Sequence, residues 1–255
     1  MEKDSPVGKG IIAAADSHVG LVRKANEDSF GYFIDRKRDY ALFAVADGIG
    51  GHGNGDVASA ICIRMMLEDW RQCDFSSCFD GEAAREFFRR TIRDANRKIF
   101  DINNRFSFRY PMGTTVVAAI LTATEVVAVH IGDSRLYRFS ADRIMRVTED
   151  HSFVAEMVKN KLITPEEAVK HPFAHIISRS IGPNETTKPD FSTFERRPGD
   201  GLLLCSDGVS NYIADAEFEE RFRQDRNPQV MIGNLLKMAL KRGGEDNITA
   251  IGVSY

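Results

Sequence analysis

Four carboxylates stand where apolar runs meet glycine or other small residues. Ala41–Ala46 ends at Asp47-Gly48, inside the stretch ALFAVADGIGGHGNG. Val126–Ile131 ends at Gly132-Asp133-Ser134, and Leu202–Cys205 ends at Ser206-Asp207-Gly208. Gly243-Gly244-Glu245-Asp246-Asn247 immediately precedes the apolar run Ile248–Val253. A carboxylate at the end of a buried strand is costly unless a cation pairs with it, and glycine lets backbone approach a ligand closely. Hard divalent cations such as Mg²⁺ and Mn²⁺ take oxygen ligands of this kind. An Asp-Gly pair by itself is usually a turn, as Asp200-Gly201 after Pro198-Gly199 illustrates. It is the joint occurrence that points to a metal centre. If Asp47, Asp207 and Asp246 converge, Asp47 can bridge two ions with the Gly48 carbonyl on one of them. Such a pair lowers the pKa of a bound water and clamps a phosphoryl oxygen. Phosphate recognition then calls for a fixed positive fork. Arg23, in a polar turn shared with Asp28, is the candidate, a plain surface arginine being the alternative.

The elements that must position these groups follow from the apolar pattern. Gly10–Asp16, Phe30–Ile34 and Tyr40–Ala46 read as strands. Asp56 is the expected N-cap of a helix carrying Val57, Ala60, Ile61, Met65 and Trp70. A second helix is expected from about Glu82 to Phe106. Its Phe87, Phe88, Ile92, Ile99 and Ile102 stripe is core packing rather than a binding groove. After Met112-Gly113-Thr114-Thr115 come strands Val116–Leu121, Val126–Ile131, Leu136–Phe139 and Ile144–Val147, with a turn at Ala141-Asp142. Glu149–Ser180 changes to short helices, with Thr164 as a cap before Pro165, and reads as an inserted flap. Strands Phe191–Phe194 and Leu202–Cys205, helices Ala216–Phe222 and Pro228–Lys241, and a last strand Ile248–Ser254 complete the chain. No repeat, low-complexity stretch or linker divides residues 1–255, so one domain is expected, with its flap at about 150–180. Strands flanked by helix pairs, without regular βαβ alternation, predict an α+β fold of sheet packed on sheet and covered by helices.

Composition is ordinary for a globular chain of 255 residues. With 34 basic and 37 acidic residues the net charge is −3, which argues against a nucleic-acid binder. MEKDSPVGKG has no apolar core, so no secretory signal is read there, and no apolar run is long enough to span a bilayer. Cys62, Cys73, Cys78 and Cys205 lack paired spacing and are expected to be reduced, which fits the cytoplasm.

At this point the chain resembles the metal-dependent serine/threonine phosphatases of the PPM (type 2C) kind, in their compact bacterial form. The matching stretches are Arg23-x-x-Asn26-Glu27-Asp28, Ala46-Asp47-Gly48-Ile49-Gly50-Gly51-His52, Met112-Gly113-Thr114-Thr115, Gly132-Asp133-Ser134-Arg135-x-Tyr137, Asp150-His151-Ser152, Ser206-Asp207-Gly208 and Gly243-Gly244-Glu245-Asp246-Asn247-Ile248-Thr249. They occur in family order across nearly the whole chain. The resemblance implies a four-layer α-β-β-α sandwich and hydrolysis of phosphoserine and phosphothreonine by a metal-bridged water or hydroxide. Mn²⁺ or Mg²⁺ would be bound as a pair with a weaker third ion. Asp47 and Gly48 would serve one metal, Asp47, Asp207 and Asp246 the other, and Asp133 with Asp207 the third. Asp28 would hold metal-bound water and Arg23 would grip the phosphate. Implied partners are phosphoproteins and a serine/threonine kinase or its targets, with no nucleic acid or membrane and with a monomeric enzyme.

Departures from the family pattern bear on mechanism. Ile49 stands where some members carry a general-acid histidine. His52 is a candidate acid; the alternatives are a loop histidine bonding backbone, with metal-bound water protonating the leaving group. Asn211 stands where an acid often follows Ser-Asp-Gly and is expected to contribute little, whereas Glu245 adds a carboxylate beside Asp246 that would strengthen or distort metal binding. His151, His171 and His175 lack metal spacing with cysteines, so zinc is not expected; His151 and His171 read as capping or flap-anchoring groups. Two other readings use the same residues. One is a non-catalytic phosphoprotein-binding module; the other is a phosphatase dedicated to a single regulator, such as a phosphorylated anti-sigma antagonist or a secretion-system scaffold.

Overall fold

The computed structural model describes residues 10–50, 54–75, 79–140 and 143–255. Met1–Lys9, Gly51, His52, Cys78 and the Ala141-Asp142 turn, on which sequence expectations fall, lie outside them. In chain order the elements are β1 (Ile12–His18), β2 (Asp28–Asp35), β3 (Tyr40–Ile49), α1 (Gly55–Arg71), α2 (Gly81–Phe106), β4 (Gly113–Thr114), β5 (Val116–Leu121), β6 (Glu125–Ile131), β7 (Arg135–Phe139), β8 (Ile144–Arg146), α3 (Phe153–Lys159), α4 (Pro165–Val169), β9 (Asp190–Glu195), β10 (Gly201–Cys205), α5 (Asp207–Ser210), α6 (Asp215–Gln224), α7 (Pro228–Lys241) and β11 (Ile248–Ser254). No described helix is long and apolar enough to cross a membrane.

The strands form two antiparallel sheets, ordered β1-β11-β10-β7-β8 and β2-β3-β5-β6-β9, with β4 added to β3. Three apolar layers hold four structural layers together. Leu42, Ala44 and Ala46 of β3 pack with Met66, Trp70, Phe88 and Ile92 of α1 and α2. Ala41, Phe43 and Val45 of the same strand pack with Leu202, Leu204, Ile251 and Val253 of the other sheet. On the far side Leu203, Cys205, Ile248 and Ala250 pack under α6 and α7 through Phe218, Phe222, Ile232 and Leu235. The expected α-β-β-α sandwich is therefore the observed one. It explains why β5 and β10 are continuous apolar runs: a strand covered on both faces has no polar face to present.

The period of two in these strands also decides where the acids go. Ala41, Phe43 and Val45 face the inter-sheet layer, so Asp47 continues that face at its open end. Leu202 and Leu204 are followed in phase by Ser206, and Ile251 and Val253 are preceded in phase by Thr249. Asp47, Ser206 and Thr249 thus lie in phase at one rim of the inter-sheet layer.

Several boundaries differ from the expectation by a residue or two, and two of the differences bear on the site. β3 runs on through Asp47 to Ile49 instead of stopping at Ala46, because Gly48 and Ile49 pair with Thr114 and Gly113 of β4. Helix α1 has Asn54, not Asp56, in its N-cap position, with no side-chain capping bond; a Cβ on Gly55 would lie 2.7 Å from the Gly48 carbonyl, so this close backbone contact sets the helix start. Asp56 instead falls in the first turn, where a carboxylate suits the helix dipole. Thr164 does cap α4, in a complete capping box with Glu167.

Candidate active site

Asp28 and Asp47 are directly opposed across β2 and β3. Like charges so placed destabilise a sheet. Asp47 carries Asp207 within hydrogen-bonding reach of its carboxyl and senses the charges of Asp28, Asp133 and Asp246 as well. The sandwich therefore brings Asp28, Asp47, Asp133, Asp207 and Asp246 together. Asp28 is buried, while Asp47, Asp133, Asp207 and Asp246 each keep part of their surface open to solvent. Burial first, and mutual repulsion second, push Asp28 and Asp133 up to about 7 and raise Asp47 well above the carboxylate range. The same causes raise Asp207.

The first donors in this cluster are hydroxyls and amides. Ser206 Oγ donates to Asp28 Oδ2 at 2.8 Å, and Asn211 Nδ2 donates to Asp207 Oδ2 at 3.1 Å. The Asp47 backbone is held at both ends: its N–H donates to Thr115 Oγ1 at 3.0 Å, and its carbonyl accepts from Thr115 N–H at 2.8 Å. Asp28 Oδ1, Asp133 Oδ1 and Asp207 Oδ1 are buried and have no hydrogen-bond partner. Orphaned buried oxygens on three neighbouring carboxylates are what a hard cation would satisfy, and the all-oxygen donor set fits Mg²⁺ or Mn²⁺ rather than zinc.

Gly48 packs where only a glycine fits, since an added Cβ would lie 2.6 Å from the Glu27 carbonyl and nearer still to that of Gly55. Its N–H donates to Glu27 O at 3.1 Å. Arg23 reaches the cluster by an ion pair, its Nη2 donating to Asp246 Oδ2 at 2.7 Å. Both partners are partly exposed, and such a pair is worth about 0–1 kcal/mol, so little opposes its exchange for an anion. Glu245 is exposed, and its N–H donates to Tyr212 Oη at 3.2 Å.

Asn247 ties the loops that carry Arg23 and Asp246. Its Oδ1 accepts from Glu27 N–H at 2.8 Å, and its Nδ2 donates to the carbonyls of Val19 and Ala25 at 2.9 and 3.0 Å. Asn247→Ala leaves these groups unpaired around a buried position, and a loss of about 3 kcal/mol is expected. For a chain of this size that lowers the melting temperature by roughly 6–12 °C, read by thermal denaturation; an unchanged melt would remove Asn247 from this role.

Sequence reasoning gave no role to Ser206, Thr115, Asn247 or Asn211, and none to His130. Asn211, expected to contribute little, in fact touches Asp207. Among the described residues the tightest set of metal-ligating types is His130, His151 and Asp190, with ligand atoms within 4.8 Å of one another. Its hydrogen bonds are already committed. Gly132 N–H donates to His151 Nδ1 at 3.2 Å, which places the ring proton on Nε2, and Nε2–H donates to Asp190 Oδ2 at 3.0 Å. A metal on His151 Nε2 would require an imidazolate or the loss of the Gly132 bond. Arg179 also donates to Asp190 Oδ2, at 3.2 Å, and occupies the cationic position. His130 Nε2 donates to the Glu149 carbonyl at 2.7 Å. The set is a brace: His151 N–H and O bond Gly132 O and Ser178 N–H at 2.9 and 2.8 Å, which joins the Asp133 loop to the segment that carries α3 and α4.

Comparison with known proteins agrees with this geometry. The family model described as Protein phosphatase 2C matches residues 18–236. The serine/threonine phosphatase stp of Listeria innocua is 35% identical over 239 residues, spanning 91% of each chain. The serine/threonine phosphatase of S. agalactiae superposes with a TM-score of 0.88 at 32% identity, covering 96% of this chain and 99% of that one. The catalytic domain of the serine/threonine phosphatase PstP, in complex with 2 manganese ions, gives a TM-score of 0.81 at 32% identity, covering 96% and 97%. With carboxylates gathered at the rim of a two-sheet sandwich and a family match over most of its length, the chain belongs to the protein phosphatase 2C family of serine/threonine phosphatases.

Proposed function

We propose that this protein removes phosphate from phosphoserine and phosphothreonine in protein substrates, using Mn²⁺ or Mg²⁺ held by Asp47, the Gly48 carbonyl, Asp207 and Asp246. Asp133, with Asp207, is assigned to a third and weaker ion. The observation that carries this reading is the set of partnerless carboxylate oxygens on Asp28, Asp133 and Asp207 around Asp47. Bound there, a divalent pair lowers the pKa of a water and withdraws charge from a phosphoryl oxygen.

The chain's own groups do the rest. Ser206 occupies one oxygen of Asp28, leaving Oδ1 to accept a hydrogen bond from the attacking water and aim it. Arg23 exchanges Asp246 for the substrate phosphate, where its planar fork can bind two oxygens at once. Asn211 and Thr115 fix Asp207 and Asp47 so that neither must reorganise during the reaction. One catalytic unit spans the chain in this reading. Residues 150–180 form a flap beside the site, and the enzyme works as a cytoplasmic monomer that reverses a serine/threonine kinase.

The test is hydrolysis of a phosphothreonine peptide by the purified chain, titrated with Mn²⁺ and then EDTA. Phosphate release that rises with Mn²⁺ and stops with EDTA is expected. No turnover, together with no Mn²⁺ binding by calorimetry, would overturn the reading in favour of a binding module. Arg23→Ala removes a charge-assisted contact of about 1.5–3 kcal/mol, so kcat/KM falls roughly 10- to 150-fold. Arg23→Lys, which keeps the charge without the fork, should recover only part of it.

A further inference from the structure

Beside Arg23, Leu21 and Val22 are among the most exposed aliphatic side chains of the described residues, at 66% and 65%. Single surface aliphatics are ordinary. These two differ in being adjacent, next to the proposed phosphate grip, and mounted on a loop that is tied down. Gly20 turns the chain at a φ of +85°, a conformation that favours glycine. Its N–H donates to His18 Nδ1 at 2.9 Å, and Leu21 N–H donates to the Gly244 carbonyl at 2.7 Å. Asn247 Nδ2 brackets the loop through Val19 O and Ala25 O, at 2.9 and 3.0 Å. Rigid apolar surface loses little entropy when it is covered, which is the property of a docking contact.

We propose that Leu21 and Val22 form an apolar shelf that selects phosphoprotein substrates with an aliphatic residue within two positions of the phosphorylated Ser or Thr. The inference rests on the phosphatase reading above and adds to it a rule for substrate choice. In an extended substrate, a neighbour two residues away lies about 6.6 Å along the chain on the same face as the phosphoresidue. Leu21 stands two residues from Arg23, so with phosphate on Arg23 that neighbour falls within reach of the shelf. Charge acts in the same sense against acidic neighbours, because Glu27, which is not among the proposed metal ligands, lies within electrostatic range of Arg23.

The experiment uses the Mn²⁺-loaded full chain and a phosphothreonine host peptide in which Leu, Ala, Asp or Lys is placed singly at each of the four flanking positions. In at least one position Leu is expected to exceed Ala in kcat/KM by about fivefold, in keeping with partial burial of one aliphatic side chain, and Asp to fall below Ala. A Leu21→Ser/Val22→Ser variant should compress the Leu-to-Ala ratio to less than about twofold, and Leu21→Ala and Val22→Ala singly give the same reading if the double variant does not fold. A flat series in the wild type, Lys preferred over Leu, or a Leu preference that survives in the variants would each overturn the shelf. Failure of the phosphatase reading would look different: neither the host peptide nor p-nitrophenyl phosphate would be hydrolysed.

Discussion

Asp47→Asn is expected to lower kcat/KM by on the order of 10³-fold or more while raising the melting temperature of the metal-free protein. The two effects have one cause. Asp47 lies opposite Asp28 and within reach of Asp207, so it contributes repulsion when no cation is present and, in the proposed reading, would be the shared ligand when one is bound. Metal stabilisation of a phosphoryl-transfer transition state amounts to several kcal/mol, and about 4 kcal/mol corresponds to three decades of rate. Removing one of two directly opposed charges should in turn stabilise the empty site by roughly 0.2–1 kcal/mol. That is up to about 4 °C for a chain of this length. Steady-state kinetics with Mn²⁺ and thermal melts in EDTA test both halves. Activity retained within tenfold would remove Asp47 from the bridging position. Loss of activity with a lower melting temperature would mean that the carboxylate is holding the fold together.

How much of this was legible before any coordinates depends on the range of the interaction. Val116–Leu121, Pro228–Lys241 and Ile248–Ser254 coincide with β5, α7 and β11, because their limits are set by local patterning and by turn or cap residues. The acids could be named because each interrupts an apolar run, and a charge in that place needs a reason. The two-residue β4 and the four-residue α5 escaped notice, since neither is long enough to show a period. The Asp56 cap failed for a tertiary reason, the contact between the Gly48 and Gly55 backbones.

Partners distant in sequence were hidden for the same reason. Ser206 finds Asp28 across 178 residues and Asn247 finds Glu27 across 220. The brace of His130, His151 and Asp190 depends on two rings stacked 4.5 Å apart, one from β6 and one from the segment before α3. Sequence spacing says nothing of such a contact. Nor did it anticipate that the phosphate-gripping candidate Arg23 would pair with a metal-ligand candidate, Asp246.

The acids that make the site chemically useful also predict how the metal-free protein responds to pH. Asp28 is held at about 7, against 3.8 for a free side chain, chiefly by burial and then by the charges of Asp207 and Asp246. Its folded-state pKa lies above its unfolded one, so between those values the native state binds the extra proton. Stability must then fall as pH rises from about 4 towards 7 and beyond. For Asp28 alone, which is 8% exposed, the cost of ionisation is at most about 4 kcal/mol; Asp47, Asp133 and Asp207 act in the same direction, because burial and neighbouring charge raise them as well. In EDTA the melting temperature should therefore be higher at pH 5.5 than at pH 8, by roughly 5–10 °C. Mn²⁺ should reverse that order: cations bind the ionised carboxylates, so binding competes with protons and adds most stability where the acids are deprotonated. A metal-free melt that is flat or rises between pH 5.5 and 8 would show that these carboxylates are already compensated without a cation. The argument for a metal centre would then lose the orphaned oxygens on which it stands.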